Sequence, residues 1–173
     1  LQHLSQELGR SASEIYRMLE VLVDQGYVLR EGGMHRLSLK MFNLGVSQMP
    51  ARDLLTVSLP AMQEMALQSR QVLHLCVHAD KQLVVVAAVA SPEPLGFSVR
   101  LGAQFPFRAD RTSVRVIAAF QPPAIRELLV TEMIEQSLTR RVSRKSMSAR
   151  LDALRAQGFE EAPSDTVQGI VDV

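Results

Sequence analysis

The sequence contains a single cysteine, Cys76, so the chain cannot form an internal disulfide bond. A fold that needs no disulfide suits a reducing compartment. Long apolar runs are also missing, because the longest ones fall well short of the roughly 18 to 20 residues that cross a bilayer. The start of the sequence shows no basic, apolar and small-residue pattern of an export signal. We therefore expect a cytoplasmic protein that does not contact a membrane.

Motifs that carry enzyme chemistry are absent too. The sequence has no phosphate-binding loop, dinucleotide fingerprint, paired-carboxylate motif or hydrolase elbow. The hydrophobic fraction of 47% and charged fraction of 21% are those of an ordinary soluble globular protein, and 173 residues allow one large domain or two small ones. We expect a protein that is not an enzyme and that holds no cofactor and no metal.

An excess of positive charge is missing as well, since the net charge is only +1. Residues 1–45 hold five basic and five acidic side chains. A nucleic-acid-binding domain often carries a clear excess of lysine and arginine. Any affinity of this region for DNA must therefore come from where its basic residues lie.

The first 26 residues predict two short helices. Leu4 and Leu8 lie one helical turn apart, and Gly9 then interrupts the pattern as a tight turn would. Ser11 and Glu14 have the spacing of a capping box at the start of a second helix, which ends near Gly26. The second helix is expected to bury one apolar face and to expose a polar face. The apolar face comprises Ile15, Met18, Leu19, Leu22 and Val23.

Residues 27–30 and 34–39 are two short alternating runs around Gly32-Gly33, which predicts a β-hairpin. Two short helices followed by a hairpin make a winged helix-turn-helix, whose second helix enters the major groove of DNA. The expected DNA-contacting residues are Ser11, Ser13, Tyr16 and Arg17 on the helix and Arg30, His35 and Arg36 on the wing. The alternative is a small packing unit that contacts another protein.

Four stretches resemble a known family, the IclR-type regulators, which are named for the isocitrate lyase regulator. They are LSQELGRSASEIYRMLEVLVDQGYVLREGGMHRLSLKMFNLG at 4–45, LPAMQEMALQSRQVLHLCV at 59–77, VRLGAQFPFRADRTSVRVIAAF at 99–120 and ALRAQGFEEAPSDTVQGIVDV at 153–173. The chain departs from the family pattern at Ala12 and Glu14, where a basic residue and a threonine are common. It departs again at Ser113-Val114, where glycine and a basic residue are usual.

The resemblance implies an α+β protein in three parts. These are a winged helix-turn-helix over residues 1–40, a linker helix over 41–53 and a GAF-like effector-binding domain over 54–173, an antiparallel sheet with flanking helices. Both ends of the chain are expected to be incomplete relative to the family. The resemblance also implies a homodimer or homotetramer on a palindromic operator in double-stranded DNA, and a small-molecule effector such as an organic, sugar or aromatic acid.

The residues themselves place helices and strands in the remaining chain. Apolar residues at 41–46 predict a short helix, Pro50-Ala51-Arg52 a break, and Asp53 the cap of a helix through Ser69 with a kink or restart at Pro60. The apolar surplus of these helices is either a dimer surface or a core-facing stripe. Strands are predicted at 72–77, 83–89, 97–101 and 168–173, and helices at 110–120, 123–135 and 146–157 with Gly158 as the last cap.

Two groups of polar residues invite a functional interpretation. His74, Cys76 and His78 share one face of a strand and have the spacing of a metal site, but an incidental polar face is the favoured reading. The basic run at 140–145 either touches DNA or forms a solvated loop.

The effector is expected to contact the positions that surround the pocket in the family. Arg108 either binds a carboxylate of the effector or is a surface arginine at the start of a helix. Residues 164–169 are polar enough to contact a hydroxyl-rich ligand. The expected effector-binding residues are Val85, Leu101, Gly102, Ala103, Phe107, Arg108, Asp165 and Asp172.

These observations predict a transcription regulator whose affinity for its operator changes when a metabolite binds the effector domain. Two other classes remain open. One is a ligand-binding scaffold whose winged helix contacts protein, and the other is a metal-dependent enzyme built on His74, Cys76 and His78.

Overall fold

A computed structural model describes residues 1–47, 49–94, 96–137, 142–164 and 167–173 and confirms the α+β class. The contacts divide the chain into two compact units, Leu1–Val57 and Ser58–Val173. The helices are α1 (Gln2–Leu8), α2 (Ala12–Asp24), α3 (Lys40–Ser47), α4 (Met49–Ser69), α5 (Thr112–Ala119), α6 (Pro123–Glu135) and α7 (Arg144–Gln157). The strands are β1 (Val28–Glu31), β2 (Met34–Leu37), β3 (Leu73–Ala79), β4 (Gln82–Val89), β5 (Gln104–Pro106), β6 (Ala162–Pro163) and β7 (Val171–Asp172).

In the first unit, the predicted turn and cap residues are confirmed, although the strands run over 28–31 and 34–37 instead of the predicted 27–30 and 34–39. Gly9 ends α1 in the left-handed conformation with a φ of 59°. Ser11 caps α2, and its reciprocal hydrogen bonds with Glu14 complete the predicted capping box. Gly32 and Gly33 both have positive φ, which gives the two-residue turn that joins β1 and β2 in antiparallel register. The predicted helices and hairpin are therefore present.

The apolar face of α2 is only partly covered, which corrects the prediction that all five of its residues lie inward. Ile15 and Leu19 are buried, but Met18 is 57% exposed and Leu22 is 39% exposed. The neighbours that α2 contacts are α1 and β1, and they cover a narrower stripe than the sequence pattern offers. The pattern thus shows which residues are apolar without showing how wide a surface the neighbours cover.

The predicted short helix after the wing is confirmed as α3, but the break after it is wrong. Residues 50–52 lie inside α4, which begins at Met49, so Asp53 is an interior residue and not a cap. A proline within the first turn of a helix costs little because its missing N–H has no partner there in any case. The helix also continues through Pro60 to Ser69 without the predicted restart.

The second unit contains a three-stranded antiparallel sheet in the order β3-β4-β5. Asp80 and Lys81 both have positive φ and form the tight turn between β3 and β4. The predicted strand at 97–101 is wrong, because that segment is irregular and the third strand is β5. The amide of Val99 donates to Nε2 of His74 at 2.9 Å, so this amide is bound by a side chain and not by a neighbouring strand.

Three helices pack together with the sheet and form the main core. The α6 bounds are as predicted, α5 is shorter at both ends and α7 begins two residues earlier than predicted, with Gly158 left-handed at its end as expected. The predicted last strand is only the two residues of β7. The buried core comprises Leu83, Phe107, Ala109, Val114, Ala118, Ala119, Leu129, Val130, Met133, Met147, Leu151 and Leu154.

A buried arginine crosses this helical layer. Arg115 on α5 is 2% exposed, and its Nε lies 2.7 Å from Oε2 of Glu160, which follows α7. Its other nitrogens donate to the Ala109 carbonyl and the Thr112 hydroxyl, and Arg150 of α7 binds the second oxygen of Glu160. A buried charge is tolerated only when it is paired and hydrogen-bonded, so these contacts explain why an arginine can occupy this position.

The adjacent residues Leu128 and Leu129 provide a matched test of this core. Leu129 is 5% exposed, whereas Leu128 on the same helix is 71% exposed. We expect Leu129→Ala to lower the free energy of unfolding by about 2 to 5 kcal/mol because it removes packed methyl groups. Leu128→Ala should change it by less than about 0.5 kcal/mol. Urea unfolding of both variants measures the difference, and equal effects would contradict the packing described above.

Candidate functional site

The N-terminal half of α2 presents three polar side chains to solvent. Ser13, Tyr16 and Arg17 are exposed, Tyr16 to 50%. None of the three side chains forms a hydrogen bond or an ion pair with the rest of the described chain. They are therefore available to a ligand, and they belong to the set that sequence analysis selected for DNA contact.

Arg17 lies between two shallow surface grooves. One groove is lined by Leu1, Ala12, Ser13 and Tyr16, and the other by residues of α1 and α2 that include Leu8, Arg10 and Met18. Both grooves are open to solvent, so the guanidinium of Arg17 can meet a large partner from either side. Such an exposed basic group on the first turns of a helix fits phosphate or base contact.

Ser11 has a different role from its predicted neighbours. Its amide donates to Oε2 of Glu14 at 3.0 Å and its hydroxyl donates to the same oxygen at 2.8 Å. The hydroxyl hydrogen bond, with that of the amide, lowers the pKa of Glu14, which keeps the carboxylate charged. The Ser11 hydroxyl is thus engaged in capping α2, where it fixes the start of the exposed face.

The predicted wing residues carry their charge in ion pairs. Arg30 pairs with Glu20 of α2, and its Nε lies 3.3 Å from Nε2 of His35. Arg36 pairs with Glu31 across the hairpin. Exposed pairs of this kind are weak, so a phosphate can replace the carboxylate at modest cost. Unlike Arg30 and Arg36, Arg17 can bind a phosphate without first leaving a carboxylate of the described chain.

Three of the predicted effector-binding residues lie together beside the sheet. The amide of Val85 donates to the Ala103 carbonyl at 3.0 Å, and the amide of Gly102 donates to the Val85 carbonyl at 2.8 Å. Gly102 has a φ of 78°, a conformation that glycine adopts without strain. These bonds extend the pairing of β4 beyond β5 and fix the loop before β5 against the centre of the sheet.

Two other predicted residues differ sharply in exposure. The Leu101 side chain is 69% exposed, whereas Phe107 is fully buried. The Phe107 ring meets the His78 ring edge to face with centroids 4.4 Å apart. Phe107 therefore acts as a core residue in this conformation, and its side chain has no surface to offer a ligand.

Arg108, the predicted carboxylate anchor, already holds a carboxylate of this chain. Its Nε lies 3.0 Å from Oδ1 of Asp110 and its terminal nitrogen lies 3.0 Å from Oδ2. This fork is two-pronged and half-buried, with 16% of the Arg108 side chain exposed. The geometry shows that Arg108 can bind a carboxylate there, and that an external acid would compete with Asp110.

Of the remaining predicted residues, the structure describes Asp172. Asp172 is part of β7, which pairs with β6 and not with the three-stranded sheet. Asp165 lies outside the described residues, as do the first two arginines of the basic run at 140–145. Arg144 of that run forms an exposed pair with Glu127.

The three residues of the metal hypothesis are each engaged separately. His74 accepts from the Val99 amide, Cys76 packs against the helical core, and His78 lies 2.7 Å from Glu132 of α6. Burial raises the pKa of Cys76 to about 11, which keeps the thiol protonated and a poor metal ligand. Within the described ranges, no group of three or more histidine, cysteine, aspartate or glutamate side chains is arranged to hold a metal ion.

Several residues that organise these surfaces were not predicted from the sequence. Arg115 is one of them, and its signal was a charged residue between Val114 and Ala118, on the face that α5 buries. Lys40 and Ser38 are two others, and they bind the end of α2. Their targets are backbone carbonyls, which leave no mark in a sequence.

None of the described helices is long and apolar enough to span a membrane.

Comparison with known proteins places these features in a family. The model of the C-terminal domain of the bacterial transcriptional regulator IclR matches residues 46–173. The HTH-type transcriptional regulator KdgR of Dickeya chrysanthemi is 25% identical over 173 residues, which cover 98% of this chain and 57% of KdgR. The chain thus spans less than two thirds of the length of that relative.

Solved structures share the fold at low identity. The crystal structure of Pseudomonas aeruginosa HmgR has a TM-score of 0.73 and 18% identity over 97% of this chain and 70% of HmgR. An IclR homologue from Microbacterium hydrocarbonoxydans, crystallised with 4-hydroxybenzoate, has a TM-score of 0.70 and 21% identity over 92% of this chain and 67% of its own. The similarity to HmgR extends over both units of the chain.

The contact between His74 and Val99 predicts a pH dependence of stability. Burial lowers the pKa of His74, so the unfolded state binds its proton more readily. The stability contribution is complete above the unfolded pKa of about 6.5 and is lost as the pH falls towards the lower folded pKa. His74→Gln keeps an acceptor for the Val99 amide and removes this titration. As the pH falls from about 7.5 to about 5.5, we expect the unmodified chain to lose this contribution and the variant to keep its stability. The free energy of unfolding of the variant minus that of the unmodified chain should therefore rise.

Urea unfolding at the two pH values measures this change. His3→Gln, which alters an exposed histidine in the first unit, is the control and should show no such shift. A difference between His74→Gln and the unmodified chain that is the same at both pH values would contradict the prediction.

Proposed function

Because the chain belongs to the IclR family of bacterial transcriptional regulators, we propose that it binds double-stranded DNA through α2 and the β1–β2 hairpin, under the control of a small metabolite. The observation that carries the proposal is the exposed face of Ser13, Tyr16 and Arg17 in the first half of α2, whose side chains have no hydrogen-bond or ion-pair partner among the described residues. The tight turn at Gly9 and the hairpin after α2 give this face the setting of a winged helix-turn-helix.

Charge placement supports this assignment. The first 45 residues have no net excess of basic groups, but the capping box holds Glu14 against Ser11 at the start of the helix. Arg17, one turn further on, is then the cation that reaches the groove. The paired arginines Arg30 and Arg36 of the wing contact the flanking phosphates when Glu20 and Glu31 release them.

We assign effector binding to the GAF-like second part of the chain, residues 54–173. The loop at 101–103 lies against Val85 of the sheet, and Arg108 supplies a half-buried guanidinium whose fork already fits a carboxylate. An organic, sugar or aromatic acid matches this guanidinium. The protein acts in the cytoplasm as a homodimer or homotetramer on a palindromic operator.

The mechanism is a shift between two arrangements of the effector domain. A metabolite that binds one arrangement more tightly raises the population of that arrangement. The ratio of the two populations can change by at most the ratio of the metabolite's affinities for the two arrangements. The helix pair α3 and α4 connects residues 1–40 to the second unit and passes the change on. The distance between the α2 helices of two subunits then matches the spacing of the operator half-sites more or less closely.

One observation favours a different class, a protein-contact module. Met18 and Leu22 expose apolar surface on α2, and such surface suits a protein partner. The salt dependence of binding distinguishes the two, because phosphate contacts release counterions from DNA and apolar contacts do not.

Replacing Arg17 tests the DNA-binding proposal directly. We expect Arg17→Ala to weaken binding to the duplex upstream of its own gene by about 5- to 100-fold and to flatten the salt dependence, because a phosphate or base contact is lost. Fluorescence anisotropy titrations across salt concentrations measure both quantities. Arg155→Ala removes an exposed arginine of α7 and is the matched control.

Saturable binding that falls steeply with salt and is weakened by Arg17→Ala alone supports the regulator. Binding no tighter than to random duplex, or an equal loss in both variants, contradicts it and favours the protein-contact module.

The pair of Arg108 and Asp110 tests the class of effector. We expect Asp110→Asn to tighten binding of a small carboxylic acid because it removes the internal competitor. Arg108→Gln should weaken it by about 10-fold or more, the effect of losing a charge-assisted fork. Isothermal titration with a panel of hydroxy, sugar and aromatic acids that includes 4-hydroxybenzoate measures this. An acid that binds Arg108→Gln as tightly as the unmodified chain excludes Arg108 as the anchor, and no binding by any acid excludes this class.

A further inference from the structure

The C-terminal end of α2 is bound by residues that lie beyond the hairpin. The last carbonyl groups of a helix have no partner within the helix and must find donors elsewhere. The Lys40 Nζ donates to the Gln25 carbonyl at 2.6 Å, and the Ser38 hydroxyl donates to the Gly26 carbonyl at 2.6 Å. Lys40, the first residue of α3, thus binds the carbonyl of the C-cap residue of α2, and Ser38, two residues before α3, binds the carbonyl of the residue that follows the cap.

Lys40 makes a second contact at the same place. Its Nζ lies 4.4 Å from the centre of the ring of Tyr27, the third residue after α2. An ammonium group interacts favourably both with the negative end of a helix and with the face of an aromatic ring. Since Lys40 is the first residue of α3, these contacts join the end of one helix to the beginning of the other.

Ser38 makes this connection stiff. Its hydroxyl also accepts from the Lys40 amide at 3.1 Å, and its own amide donates to the Tyr27 carbonyl at 2.9 Å. The backbone between β2 and α3 is therefore bound to the segment after α2 at several atoms. We call this set of contacts, made by Ser38 and Lys40 with residues 25–27, the α2–α3 clamp.

We infer that the α2–α3 clamp sets the orientation of α2 relative to α3, and that Lys40 is a positioning residue for DNA recognition. The inference rests on the proposed function, in which the start of α2 reads DNA and α3 leads to the effector domain. A helix of 13 residues is about 20 Å long, so a small rotation about its clamped end moves Ser13, near the other end, further than Arg17 in the middle and further than any atom beside the clamp. The clamp therefore transmits a movement of α3 to the DNA-contacting face.

The first arm of the test measures the orientation itself, without DNA. Spin labels are attached at Ser13→Cys on α2 and Asn43→Cys on α3 in a Cys76→Ser background. The labelled protein is diluted with unlabelled protein so that only distances within one chain are recorded. Pulsed electron–electron double resonance should give a narrow distribution of distances between the labels for the unmodified clamp, a broader one for Lys40→Met, and a narrow one again for Lys40→Arg. Lys145→Met, which alters an exposed lysine of α7, is the matched control.

The second arm measures recognition of DNA. The duplex upstream of the gene is compared with versions that carry one or two additional base pairs between the half-sites. The unmodified protein should prefer one spacing, and Lys40→Met should reduce that preference by about 10-fold, as expected for losing a charge-assisted hydrogen bond. Lys40→Arg should restore it, whereas a residue that only stabilised the fold would change affinity for every spacing equally.

A distribution for Lys40→Met as narrow as for the unmodified chain overturns the inference, whatever the DNA arm shows. A broadened distribution with an unchanged spacing preference overturns the role of the clamp in recognition. If the unmodified protein binds no duplex, the proposed function fails, and the distance measurement still decides whether Lys40 couples α2 to α3.

Discussion

The buried ion pair between Arg115 and Glu160 joins α5 to the segment that follows α7 in the second unit. Arg115 is buried among the apolar side chains of the helical core, and a charge in that position needs a complete set of partners. Glu160 supplies the countercharge and binds Arg150 as well, so α5, α7 and the segment after α7 are held together. The pair of Arg108 and Asp110 directly precedes α5, and its geometry is fixed by the same contacts, since Arg115 also binds the Ala109 carbonyl.

The first unit depends on the two ends of α2, which differ in chemistry. At its start, Ser11 and Glu14 bind each other, and the side chains of Ser13, Tyr16 and Arg17 have no hydrogen bond or ion pair with the part of the chain that the structure describes. At its end, Lys40 of α3 binds the carbonyl of the C-cap residue Gln25, and Ser38 binds the carbonyl of Gly26, the next residue. The helix therefore has one end that can meet a partner and one end that is fixed to the segment leading to the second unit. This division is what a regulator needs if a change in one part of the chain is to alter binding in another.

The sequence predicted the parts of the fold that local signals determine. The capping box at Ser11, the glycine turn at 32–33 and the cap at Gly158 are each decided by a few neighbouring residues, and the structure confirms all three. The strand at 97–101 was wrong because His74, which is distant in sequence, binds the amide of Val99. Met18 is exposed because the elements that pack on α2 cover only part of its apolar face. The periodicity of the sequence shows which residues are apolar, but it does not show how much of that face the neighbours cover. The partner of Arg108 was missed because Asp110 was read only as the start of a helix.

Photo-crosslinking tests the central claim, that the exposed face of α2 reads DNA, most directly. A benzophenone amino acid replaces Ser13 in one variant and Leu128 of α6, which is also exposed, in another, and each is irradiated with the duplex upstream of the gene. We expect a crosslink to DNA from position 13 that an excess of the same unlabelled duplex removes and random duplex does not, and none from position 128. The absence of a crosslink from position 13, or equal crosslinking from both positions, would contradict it.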